Sequence, residues 1–199
     1  MRRIILATRN RGKIEEINRL FQGSGVEFVG LGEFPDVPDA VEDGVTFEEN
    51  ALKKARLVYE HTGVPVISED SGLEVGILGG RPGVRSARYA GDGASDEENI
   101  RKLLRELRGL PWEQRSARFV SVFCFYSGRE RRFFEGEVTG HLLDEPRGSS
   151  GFGYDPIFVP HGYEASFAEL GAEVKNSISH RANAIAKLRG YLADYIDML

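Results

Sequence analysis

Two β-rich runs, 117–126 and 132–142, face each other across Ser127-Gly128-Arg129. Branched and aromatic residues on both sides of a short glycine-containing turn predict a β-hairpin. The first half of the chain follows a different pattern. Ile4 to Ala7 reads as a short buried strand, and after the polar segment Thr8 to Gly12 the residues Ile14, Ile17, Leu20 and Phe21 recur at helical spacing, giving a helix that ends near Gly23. Val26 to Val29 is a second strand, and the Pro-, Asp-, Glu- and Gly-rich stretch 30–44 is a loop. Thr46 to His61 predicts a second helix, with Thr46 as N-cap, Glu49 completing a capping box, and Gly63 and Pro65 closing it. Val66 to Ser68 is a strand leading into Glu69-Asp70-Ser71-Gly72, with Leu73 to Leu78 as a candidate extension. Ser95 to Leu107 is a third helix, and a last helix follows Ser179, with Ile185, Leu188, Leu192, Ile196 and Leu199 on one face. Alternating strands and helices followed by a hairpin predict an α/β fold with a mixed sheet. No repeat, low-complexity tract or long linker divides the chain, so one domain over residues 1–199 is expected.

Composition excludes several classes. The apolar fraction of 41% and aromatic fraction of 10% are those of a globular protein. A net charge of −5 and the lack of a continuous basic stripe argue against a nucleic-acid partner. Cys124 stands alone, which excludes a disulfide framework and a multi-cysteine zinc site; within its apolar run it reads as a buried small hydrophobe. The apolar start ends at Thr8, short of a signal peptide's core, and no run has the length of a membrane helix. A soluble intracellular protein is expected.

Four segments carry chemistry. Thr8-Arg9-Asn10-Arg11-Gly12-Lys13 lies between a strand and a helix, where backbone N–H groups with a nearby lysine suit phosphate; the same composition also caps helices that bind nothing. It lacks the Walker A pattern. Glu69-Asp70 offers adjacent carboxylates at a strand end, hard ligands that suit Mg²⁺ rather than zinc, although Asp-Ser-Gly also forms solvated turns. In Gly148 to Pro156, glycines flank Phe152, Tyr154 and Asp155: either a stacking platform for a base, or a turn that tucks the rings into the core. Ser179 as cap places His180 and Arg181 at the positive end of the last helix, against the helix dipole, a conflict that an anionic or electron-rich ligand would resolve.

In order and spacing these segments resemble the inosine triphosphate pyrophosphatase family (the Ham1-like or RdgB-like enzymes). The resemblance runs from Thr8-x-Asn10-x-x-Lys13 and Thr46-Phe47-Glu48-Glu49-Asn50-Ala51 through Glu69-Asp70-Ser71-Gly72-Leu73 and Gly80-Arg81-Pro82-Gly83-Val84-Arg85-Ser86-Ala87-Arg88. It ends with Gly151-Phe152-Gly153-Tyr154-Asp155-Pro156-Ile157-Phe158 and Ser177-Ile178-Ser179-His180-Arg181. It implies an elongated mixed β-sheet with flanking helices, two lobes around a central cleft, a cytoplasmic homodimer, and Mg²⁺-dependent hydrolysis of ITP, dITP and XTP to the monophosphate and pyrophosphate. It also implies roles. Thr8, Arg9, Asn10, Arg11, Gly12 and Lys13 would hold the triphosphate, with Ser71 nearby. Asp70 would be the catalytic carboxylate and a metal ligand, with Glu42 as the second metal carboxylate. Phe152, Gly153, Tyr154 and Asp155 would cradle the base, and Lys175, His180 and Arg181 would contact base and phosphate. The rival readings are a Maf-like pyrophosphatase acting on modified pyrimidines and a nucleotide sensor without turnover. The last helix is a candidate dimer interface, because Tyr191 and Tyr195 add apolar area beyond its core stripe, although core packing is the commoner reason for such a face.

Overall fold

Six strands form one mixed sheet, and the parallel part is built first. In the computed structural model, which describes residues 2–23 and 25–197, β1 (Arg2–Leu6) pairs in parallel with β2 (Val26–Gly30), Ile4 lying opposite Phe28. The connection is α1 (Arg11–Leu20), the crossover a parallel pair requires. On its other side β1 pairs in parallel with β3 (Val66–Val75), Leu6 opposite Ile67. The link between them contains α2 (Phe47–Thr62). After α3 (Asp96–Glu106), the expected hairpin appears as β4 (Ser116–Tyr126) and β5 (Arg131–Leu142), its turn closed by the Ser127 N–H donating to the Glu130 carbonyl. A short antiparallel strand, β6 (Phe158–Pro160), completes the order β2-β1-β3-β4-β5-β6. Two helices close the chain, α4 (Phe167–Ile178) and α5 (His180–Asp197).

The chain divides into two units, one of Met1–Asp70, Val122–Glu135 and Ala184–Leu199, the other of Ser71–Ser121 and Gly136–Asn183. Each has its own core. In the first, Ile4, Leu6, Phe28 and Ile67 from the parallel strands pack with Phe123 and Phe125 of β4 and with Ile185, Leu188 and Leu192 of α5. Leu188 and Leu192 are fully buried, and each contributes about 1.5–3 kcal/mol by leaving water. Tyr191 and Tyr195 turn their rings onto Phe125, at centroid distances of 5.4 and 4.8 Å, so packing within the unit accounts for them. Leu199 and the side chain of Ile196, expected on the same face, lie outside the described residues. In the second unit, Leu103 and Leu107, at the C-terminal end of α3, pack with Leu73, Phe119, Phe158 and Phe167. Arg115 caps that end, donating to the carbonyls of Leu107 and Leu110.

Several expectations change. Strand β3 does not stop at Ser68 but continues through Glu69-Asp70-Ser71-Gly72, so both carboxylates lie inside a strand and not at its end or in a turn. Thr46 caps α2 as expected by accepting the Glu49 N–H, but the Glu49 carboxylate reaches back one residue further, to the Val45 N–H. β6 and α4 were not anticipated. A three-residue strand ending in proline is too short to show a period. Gly171, at φ 78° and ψ 173°, breaks the helical pattern inside α4. Consequently Lys175 lies within α4, one helix before His180 and Arg181. Ser179 does begin that helix, its hydroxyl accepting the Ala182 N–H.

Candidate active site

The first unit gathers the carboxylates and two lysines around β3. Side chains alternate along a strand. Ser68 therefore faces α2, bonding the Ala51 carbonyl at 2.5 Å, and Asp70 faces it too. Asp70 is 8% exposed and uses both oxygens: Oδ2 accepts from Asn50 Nδ2 at 3.1 Å and Oδ1 from Lys54 Nζ at 3.1 Å. The same ammonium lies 3.1 Å from Glu42 Oε1, so two carboxylates converge on one cation. Burial raises the Asp70 pKa above the usual carboxylate range; Lys54 and the Asn50 hydrogen bond pull against that rise, and Glu42 adds to it. Glu69 points the other way and pairs with Lys13 of α1 at 3.1 Å, and alternation puts Ser71 in register with it.

The segment before α1 is organised by its own side chains. Asn10 caps the helix, its Oδ1 accepting the Lys13 N–H, while Thr8 Oγ1 accepts the Asn10 N–H. Lys13 is thereby held one turn into a helix whose N-terminus suits an anion. Arg9 is directed elsewhere: its guanidinium donates to the carbonyls of Leu31 and Val37 and pairs with Asp39 at 3.5 Å, tying down the loop that leads to Glu42. Arg11 is exposed, and Gly12 lies in the first turn of α1.

Asn50, named in the sequence only as part of a motif, and Lys54, not singled out there, are the partners of Asp70. Fully buried Asn50 accepts the Gly44 N–H at 2.8 Å and donates to Asp70, joining the Glu42 loop to the carboxylate. That contact requires glycine at 44, since a Cβ there would stand 2.6 Å from Asn50 Oδ1. A signal was present: positions 50 and 54 are one helical step apart on one face, and Asn50 interrupts the buried run Phe47, Ala51, Ala55 and Val58.

The second unit gathers the aromatic and cationic residues. Asp155, 2% exposed, accepts the Phe152 N–H at 3.0 Å and also pairs with Lys175 of α4. The loop bends so tightly here that a Cβ at Gly151 (φ 83°) would fall 2.2 Å from Asp155 Oδ2. Phe152 is 57% exposed, with the Lys175 ammonium 4.2 Å and the Arg181 guanidinium 5.7 Å from its ring centroid. Tyr154, by contrast, is buried, its hydroxyl donating to the Ser86 carbonyl at 2.9 Å; burial, and then the nearby charges of Tyr89 and Asp96, raises its pKa. The two readings of this loop thus divide between its rings, Tyr154 anchoring it and Phe152 remaining presented. His180 is 5% exposed and stacks on Phe119 at 4.9 Å. The Gly153 N–H donates to Asp96 Oδ2 at 2.6 Å, a partner the sequence reading also missed.

Mg²⁺ can be tested against this donor set. Among the described residues no group of three or more His, Cys, Asp or Glu side chains forms a metal cage. Magnesium, however, commonly takes one or two carboxylates and completes its shell with water and substrate phosphate. Asp70 and Glu42, already converging on one cationic centre, fit that mode.

Comparison with known proteins adds to the geometry. The profile of the Ham1 family matches residues 4–191. A dITP/XTP pyrophosphatase of Geobacter sulfurreducens is 49% identical over 193 residues, covering 96% of this chain and 97% of its own. One from Geobacillus kaustophilus is 50% identical, covering 94% and 93%. Among solved structures, a HAM1 protein from Coxiella burnetii superposes with a TM-score of 0.93 at 40% identity, covering 98% of this chain and all of that one.

Proposed function

The chain belongs to the Ham1 family, and from that premise we propose that it hydrolyses deaminated purine nucleoside triphosphates, ITP, dITP and XTP, to the nucleoside monophosphate and pyrophosphate. It is a nucleoside-triphosphate diphosphatase, and its role is to clear such nucleotides from the pool before they enter DNA or RNA. The observation that carries the reading is the convergence of Asp70 and Glu42 on one cationic centre.

In the reaction, water attacks the α-phosphorus, the bond from that phosphorus to the bridging oxygen breaks, and pyrophosphate leaves. Such transfers depend on positioning and charge neutralisation more than on covalent chemistry. Asp70 and Glu42 would hold Mg²⁺, which when bound would supply neutralisation of the phosphate oxygens. Thr8, Asn10, Gly12 and Lys13 receive the triphosphate, with Ser71 beside them; Lys13 exchanges Glu69 for phosphate. Lys54 holds Asp70 and Glu42 in place and offers its ammonium to the phosphates. Asp70, buried and held by Asn50, is the candidate acceptor for the attacking water's proton, the alternative being that it serves only as metal ligand. Arg9 acts through the loop it ties down, and Arg11 adds positive charge at the entrance to α1.

Phe152 stacks on the base, and Gly153, Tyr154 and Asp155 shape the loop that presents it. Lys175, His180 and Arg181 supply hydrogen-bond donors. Donors facing purine O6 pair with hypoxanthine, xanthine or guanine and reject adenine, whose N6 amine would leave buried groups unpaired; discrimination against GTP is supported by family membership alone. Family membership also supports a homodimer in the cytoplasm with no nucleic-acid or membrane partner. No helix among the described residues is long and apolar enough to cross a membrane.

The position of attack is tested by running the reaction in ¹⁸O-labelled water. The reading expects the label in IMP and none in pyrophosphate. Release of inosine diphosphate with labelled orthophosphate would overturn it.

A further inference from the structure

We propose that Asp96 is a positioning residue for recognition of the purine base, acting through the Phe152–Gly153 peptide. The inference rests on the reading that the Phe152 loop takes the base. Asp96 opens α3, but the cap of that helix is complete without its carboxylate. Ser95 accepts the Glu98 N–H, and the Glu98 side chain accepts the Ser95 N–H. The Asp96 carboxylate is therefore available for another task, and it takes the Gly153 N–H at 2.6 Å. A hydrogen bond to an ionised acceptor is roughly twice as strong as a neutral one.

That N–H belongs to the peptide plane attached to the Phe152 Cα. Its orientation therefore sets where the Phe152 ring points. The Phe152 carbonyl at the other end of that plane accepts the Asp155 N–H at 3.3 Å, and on the α3 side the Asp96 carboxylate holds it. A Cβ added at Gly153 would meet nothing within 4 Å, so no neighbouring group presses on the backbone at that point. A cavity of about 540 Å³ separates the loop from the helix, lined by Ile100 and Leu104 from α3 and by Phe152, Gly153 and Pro156 from the loop. Tyr154 and Asp155 anchor the segment downstream, through the Ser86 carbonyl and Lys175. Asp96, which also lines the cavity, completes the restraint at the residue next to the stacking ring.

Removing the carboxylate should weaken capture of the base and leave the grip on phosphate unchanged. The test compares Asp96→Ala, Asp96→Asn and Phe152→Ala in ITP hydrolysis, with tripolyphosphate, a triphosphate chain lacking a base, as competitive inhibitor. Asp96→Ala should raise KM for ITP about tenfold at unchanged kcat, the low end of the effect of losing one hydrogen bond to a charged group. Its inhibition constant for tripolyphosphate should equal that of the wild type. Asp96→Asn, which keeps an acceptor oxygen, should restore most of the KM. If Phe152→Ala raises KM while Asp96→Ala stays within about twofold of wild type, the proposal fails and the base-loop reading stands. If Phe152→Ala leaves KM unchanged, the base-loop reading fails and takes the proposal with it. A parallel rise in KM and in the tripolyphosphate constant, unrescued by Asp96→Asn, would also overturn it by showing a general loss of structure.

Discussion

Replacing Lys175 with methionine isolates the energetics of the aromatic loop. The side chains of Asp155 and Lys175 are 2% and 11% exposed, and the Phe152 N–H is the carboxylate's other partner. Methionine preserves the bulk of the lysine stem and removes the charge, leaving a buried carboxylate with one neutral donor. Breaking such a pair from one side typically costs about 3–5 kcal/mol, because the remaining charge is uncompensated. Against a typical total of about 5–15 kcal/mol, that is a large fraction of the stability. With an m value of about 2 kcal/mol per M, the urea midpoint should fall by about 1.5–2.5 M. Adding Asp155→Asn should recover part of the loss: the charge disappears, and the amide oxygen can still accept the Phe152 N–H. Equilibrium urea denaturation of the wild type, both single variants and the double variant measures the cycle. A shift below about 0.5 M for Lys175→Met, or a double variant no more stable than that single one, would refute the argument.

Asn50→Ala leaves the Gly44 N–H and Asp70 Oδ2 without their shared partner, so it should cost about 2–6 kcal/mol, at roughly 1–3 for each buried group left unpaired, and lower pyrophosphate release; unchanged melting and turnover would contradict the role given to this residue. Burial pushes the Cys124 thiol up to about 12, against a small opposing pull from Arg131. The folded protein should therefore resist thiol reagents at pH 8 and react on unfolding. The sign of the linkage follows: the unfolded thiol ionises near its ordinary value of about 8.5 while the folded one holds its proton, so this group's contribution to stability falls as pH rises from there towards 12. Cys124→Ser should flatten that part of the stability profile.

The sequence made the architecture legible where one pattern dominated. The strand–helix alternation up to Val66 and the hairpin around Gly128 each have a clear period, and both are present. Legibility ended where a signal was short or interrupted. Glu69 and Asp70 resemble a turn locally, yet alternation within β3 sends one carboxylate to Lys13 and the other to Lys54, an arrangement set by tertiary pairing and not by local preference. Helix α4 was hidden by Gly171, although Ser166 and Glu169 form a capping box that marks its start. Lys54 carries no signature of its own; on an amphipathic helix a lysine ordinarily faces water, and only the fold brings it between two acids. Arg9 lies beside the candidate phosphate loop in sequence but is spent on the Leu31 and Val37 carbonyls. Asp96 and Gly153 are 57 residues apart, and no local pattern joins them.

The central claim is that Asp70 supports metal-dependent release of pyrophosphate from deaminated purine nucleotides. Pyrophosphate release from ITP, XTP, GTP, ATP, CTP and UTP, measured with and without Mg²⁺ and alongside Asp70→Asn, tests it most directly. The account predicts rapid release from ITP and XTP, little from the other four, and loss of activity both without Mg²⁺ and in the variant. Tight ITP binding with no release from any nucleotide, or full activity in Asp70→Asn, would contradict it.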